Sequence, residues 1–119
     1  MNGNYLLTGI KLLLAVAFVS AGLAKIAGVE MMVATFDAVG IGQWFRYLTG
    51  AIEVGAAILL WVPGKQFVGA GLLLATMVGA TFAHIFILGT DTMVPAMALG
   101  ALSAIIAYGN RNQIATLTQ

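Results

Sequence analysis

Residues 5–24, YLLTGIKLLLAVAFVSAGLA, carry a single charge, Lys11, and this run limits what the chain can become more than any other feature. As an α-helix it would rise about 30 Å, the thickness of the hydrocarbon core of a bilayer. The whole chain follows suit: 61% of its 119 residues are hydrophobic and 8% are charged. That is more apolar surface than a soluble domain of this length can bury, so the expected solvent is lipid. A cleaved secretory signal is the competing reading of the first run. It needs a basic n-region, and Met1 to Gly9 contain no Lys or Arg. The run is therefore read as a retained span.

Three more apolar stretches follow, at residues 44–62, 67–88 and 93–108. The expected fold is an all-α membrane protein, a single up-and-down bundle of four transmembrane helices filling residues 1–119. Pro63-Gly64-Lys65 and Gly89-Thr90-Asp91-Thr92 read as tight turns, and Pro95 suits the first turn of the last helix. Between the first two spans, Val29, Met32, Val33, Phe36 and Val39 recur at helical spacing, with Glu30 and Asp37 opposite. A short interfacial helix over about residues 29–39 is expected there. Both termini then share a side with Lys65, Arg111 and the shallow Lys11, against Lys25 and Arg46 on the other. The positive-inside rule puts that side in the cytoplasm.

Charge and cysteine content exclude several functions. A formal net charge of +1 supplies no basic stripe for nucleic acid. Without cysteine, thiolate catalysis, disulfides and cysteine-held metal clusters are ruled out within this chain. No phosphate-binding glycine loop occurs. The fifteen glycines, with pairs such as Gly100 and Ala104 or Ala17 and Ala21, read as close helix packing or as homodimer contacts.

Against this background Glu53 stands out. It lies about 13 Å inside its span, near the middle of the membrane. A carboxylate there costs roughly 2.5–3.5 kcal/mol on insertion scales, so it should face the bundle and find partners. Arg46, Thr49, Gly50, Ala56 and Ala57 share its helix face; Lys11, Ala15, Phe18, Gly22 and Lys25 share one on the first span; Met77, Ala80, Thr81 and His84 share one on the third. Lys25, Arg46, Glu53 and His84 are thus expected to gather in the outer half of the bundle. Thr49, Phe18 and Met77 would complete a ligand-binding set, with no metal site and no assignable catalytic residue.

Each of these residues also has a structural reading. Glu53 can clamp helix register through Lys25 or Arg46. A lone histidine can be buried on a carbonyl or on Glu53, and one histidine cannot supply both axial ligands of a haem in a monomer. Met93 and Met97 share a face that could hold Cu(I), but methionine is ordinary packing in such a helix.

Phe18, Gly22 and Lys25 in AFVSAGLAKIAG, Thr49, Gly50 and Glu53 in LTGAIEVGAAILLWVP, and Met77, Ala80 and His84 in ATMVGATFAHIFILG together resemble the DoxX-like family of small four-helix membrane proteins. The resemblance covers almost the whole chain and is weakest in the last span. It implies a redox neighbourhood, since some relatives are membrane subunits associated with thiosulfate-to-quinone electron transfer and others accompany oxidoreductases or superoxide dismutase. Many relatives have no assigned activity.

Two functional expectations follow. The first is a non-catalytic membrane subunit or anchor of a redox complex, with no cofactor of its own, whose polar cluster holds the head of a quinone-like or lipid ligand. The second is a small proton-coupled transporter working through Glu53. A structural scaffold is the third. The expected surroundings are the lipid bilayer, an oxidoreductase partner and a second copy of the chain, in the inner (cytoplasmic) membrane of a bacterium with both termini cytoplasmic.

Overall fold

The computed structural model describes residues 2–91 and 93–117. Among these the chain is helical throughout, with no strand. Five helices carry the architecture: α1 (Asn2–Ala27), α2 (Glu30–Val39), α3 (Gln43–Leu59), α4 (Gln66–Ala83) and α5 (Met93–Gly109). A π-helical segment, His84–Leu88, continues α4, and short helical turns at Arg111–Gln113 and Ile114–Leu117 follow α5. Thr92, expected in the turn before α5, lies outside the described residues.

The four long helices pack in cyclic order, α1 on α3, α3 on α4, α4 on α5 and, less extensively, α5 on α1. Their end contacts show that neighbours run antiparallel. Lys11 of α1 lies over Trp61, just past the end of α3, while Lys25 reaches Glu53 near the middle of α3. Gly69 at the start of α4 meets Ala56 and Leu59 near the end of α3, and Gly109 at the end of α5 meets Leu7. The core inside them is narrow: Leu14 and Phe18, Ala56, Ala57 and Leu60, Ala70, Leu73 and Met77, then Ala96 and Ile106.

The outward faces are as apolar as the core. Leu12, Val16 and Leu23 of α1, Phe82 and Phe86 around the end of α4, and Val94 and Tyr108 of α5 are all exposed. Two helical stretches, Tyr5–Ala27 and Gln66–Leu88, are long and apolar enough to cross a membrane, and Met93–Gly109 is a shorter apolar helix. Fewer than a fifth of the residues in either long window are buried. A core helix of a soluble protein would show the reverse, so this apolar surface suits lipid contact.

Local chemistry sets the helix ends nearest the polar cluster. α1 stops at Gly28, whose φ of +75° is a left-handed conformation. The Val29 amide reaches back to Ala24 O and the Gly28 amide to Lys25 O, the paired bonds of a Schellman cap. That cap turns the chain into α2, which packs on α3 and on the π-helical segment. At the opposite end of the bundle, Gln113 accepts the Phe67 amide at 2.9 Å and donates to Gln66 at 2.6 Å. The first turn of α4 is thereby tied to the segment after α5.

Candidate functional site

Along α3 the buried positions Arg46, Gly50, Glu53 and Ala57 fall at four- and three-residue intervals and so form one stripe. Gly50 allows the backbone of α1 to come against this stripe. A Cβ on Gly50 would lie 2.7 Å from Gly22 O, and one on Gly22 would lie 2.8 Å from Gly50 O. Only glycine fits either position at this separation. The Lys25 stem passes over Gly50, and its Nζ stands 2.8 Å from Glu53 Oε1.

Glu53 is 1% exposed. The Lys25 contact has the length of a hydrogen bond, but Oε1 receives no hydrogen bond of acceptable geometry. The distance decides the description: the two groups form a contact ion pair held by charge, with acceptor capacity at Oε1 left unused. Such a pair costs desolvation on both sides and persists because breaking it would strand a buried charge.

Arg46 takes a different role from the one expected. Its Nε donates to Gln43 Oε1 at 2.7 Å, its Nη1 donates to the Lys25 carbonyl, and its guanidinium covers the Tyr47 ring. Those bonds point toward the end of α1, while Glu53 lies two turns further along α3, so Lys25 alone pairs with the acid among the described residues. Gln43 was not singled out in the sequence. It bridges elements, donating to Asp37 Oδ1 and to Val33 O of α2 while accepting from Arg46.

Beside the ion pair is a cavity of ≈ 680 Å³ between α2, α3, α4 and the π-helical segment. Lys25, Thr49, Glu53, Met77 and His84 line it, and most of the remaining wall is apolar, including Phe36, Phe45 and Ile52. Exposed Met31, Ala75 and Gly79 belong to its rim, so it communicates with the surroundings. Phe18, expected at the ligand, is absent from this wall and packs in the hydrophobic core. Its ring lies on the core side of α1, below the point where the glycine crossing lets Lys25 turn toward the cavity.

His84 opens the π-helical segment, and its Nδ1 lies 2.8 Å from Ala80 O. That bond fixes the ring against its own helix while leaving it on the cavity wall. π-Turns of this kind recur at functional sites because they re-aim side chains without ending a helix. Among the described residues, no group of three or more His, Asp or Glu side chains is placed to hold a metal ion.

The sequence profile of the DoxX-like family matches residues 9–106, a stretch that contains most of α1, the cavity and nearly all of α5. The chain belongs to the DoxX-like family. Within this member Gly22, Lys25, Gly50, Glu53 and His84 all lie inside the matched region. No curated protein and no solved structure gave a significant match.

Proposed function

We propose that this DoxX-like protein is an integral membrane protein of four spans whose cavity holds the polar head of a hydrophobic, quinone-like or lipid molecule. The observation that carries this reading is the conjunction of a ligand-sized apolar cavity with a buried ion pair on its wall. Ligand sites in general combine a mostly apolar lining with a few polar groups that orient one end of the ligand. α3 and α5, at 17 residues each, fall at the short end of what crosses a bilayer. α2 would lie at the interface, and Lys11, Lys65 and Arg111 would face the cytoplasm.

In this reading the chain is a membrane subunit or anchor and not a catalyst by itself. A quinone-linked redox complex with an oxidoreductase partner is the assembly its family resemblance suggests, in a bacterial cytoplasmic membrane. A carrier would need its acid to be reached from both sides, whereas Lys25 and His84 both sit toward one end of the bundle.

The test is thermal protection in mild detergent by apolar molecules with quinone, hydroquinone or glycerol heads, compared between wild type and Gly79→Leu. A Cβ at Gly79 would meet nothing within 4 Å, so leucine at this exposed rim position can be added without a backbone clash and is expected to narrow the cavity mouth. Protection of wild type that is lost in Gly79→Leu supports the reading. Equal behaviour of the two proteins with every head removes it.

A further inference from the structure

The polar wall of the cavity has an uneven hydrogen-bonding capacity. Six polar side chains line it: Lys25, Thr35, Thr49, Glu53, Thr76 and His84. Each hydroxyl already donates its proton to the carbonyl four residues back in its own helix, Thr35 to Met31, Thr49 to Phe45 and Thr76 to Leu72, all at 2.8 Å. A hydroxyl has one proton and two lone pairs, so these three groups can now only accept.

The histidine is constrained in the same direction. Ala80 O can only accept, so Nδ1 at 2.8 Å carries the proton, and a ring protonated there alone keeps a lone pair at Nε2. Ionised Glu53 is acceptor-only. The remaining donor group of the six is Lys25, whose ammonium carries three N–H groups and faces Glu53 Oε1 at 2.8 Å. The wall therefore presents five acceptor groups and a single donor group, the Lys25 ammonium paired with Glu53.

We infer that the ligand is a hydrogen-bond donor: an apolar molecule whose head carries free hydroxyls, as a dihydroxyarene or a neutral glycerolipid does. This inference rests on the proposed function and narrows the ligand class for the same cavity. A head with only carbonyl or ether oxygens would set acceptor against acceptor and find a single partner in Lys25. A phosphate head would add negative charge beside Glu53. Hydroxyls would instead be accepted by the carboxylate of Glu53 where it lines the cavity, a group whose buried Oε1 has no hydrogen bond among the described residues. Buried acceptors left unmade are costly, and hydrogen bonds to charged groups are the stronger kind.

Matched probes on identical tails test this. Under anoxic conditions, decylhydroquinone is compared with decylbenzoquinone and with the hydroquinone dimethyl ether, and a monoacylglycerol with its dimethyl ether, each titrated against wild type and Gly79→Leu. The expected result is binding of the hydroxylated member at least about tenfold tighter than its carbonyl or ether counterpart, the minimum for one bond to a charged acceptor. The two series show which hydroxylated class the cavity prefers. Glu53→Gln, which adds a donor, should reduce that preference, and His84→Phe, at a half-exposed position, should reduce it without touching the ion pair. If quinone or ether binds as well as the hydroxyl form, and Gly79→Leu abolishes both, the donor inference is wrong while the cavity reading stands. If no probe binds the wild type, the cavity reading fails and the inference fails with it.

Discussion

Gly22 and Gly50 stand face to face across α1 and α3, each so close to the other's carbonyl that an added Cβ would fall inside 3 Å. Three residues beyond each lies a member of the ion pair, Lys25 and Glu53. The crossing sets the pair: it brings α1 near enough for the lysine stem to pass over Gly50. Gly50→Ala and Gly22→Ala should therefore each destabilise by about 1–3 kcal/mol, the usual cost of overpacking. Gly55→Ala and Gly71→Ala, where a Cβ meets nothing within 4 Å, should be neutral or gain roughly 0.5–1 kcal/mol from helix propensity. Reversible unfolding in detergent separates the two classes, and equal effects at all four positions would contradict the packing account.

The ion pair should respond unequally to loss of either partner. The Lys25 side chain is 14% exposed and that of Glu53 is 2%. Without Glu53, the lysine stem can swing its ammonium toward water; without Lys25, the carboxylate stays buried. Lys25→Met should thus cost about 3–5 kcal/mol, more than Glu53→Gln, and the double variant Lys25→Met/Glu53→Leu should recover most of the loss. The three variants measured side by side give the answer. A double variant less stable than either single one would show that the charges themselves stabilise the fold.

Arg46 is predicted to hold α2 and the end of α1 in place. Arg46→Lys keeps the charge but cannot bond Gln43 Oε1 and Lys25 O together as the planar fork does. Loss of one charge-assisted bond is worth about 1.5–3 kcal/mol. Amide exchange over residues 30–39 should speed up in this variant while α4 and α5 stay protected. Unchanged exchange in α2 would mean that its position does not depend on the Arg46–Gln43 link.

The helices and the Lys25–Glu53 contact are legible in the sequence because both depend on spacing within single elements. Apolar runs with one charge leave little choice but helix, and Lys25 and Glu53 each sit on a face of small residues. Spacing offers Lys25 or Arg46 as the partner of Glu53 and cannot choose between them, for a physical reason. Arg46 is held instead by Gln43 Oε1 and by Lys25 O, a backbone atom in the last turn of α1, and spacing along α3 says nothing about a neighbour's backbone. Gln43 was missed likewise, since its importance lies in three partners on two helices. The π-helical turn at His84 leaves hydropathy unchanged and could not be seen there. Phe18 shares a face with Lys25 by helical period, but α1 divides that face between core and cavity at the level of the glycine crossing.

The proposed four spans, with both termini cytoplasmic, can be tested directly. Reporter fusions after Lys65 and after Asp91 should report from the cytoplasm and from the opposite side, respectively. A Lys65 fusion reporting from outside would invert the orientation, and two fusions on the same side would refute four spans.

Native mass spectrometry of the protein released from its own membranes tests the central claim most directly. Wild type is expected to carry an apolar, hydroxyl-headed molecule that stays bound after detergent removal and is absent from Gly79→Leu prepared in parallel. Wild type and Gly79→Leu carrying the same adducts, or neither carrying any, would contradict the assignment of the cavity beside Lys25 and Glu53 as a ligand site.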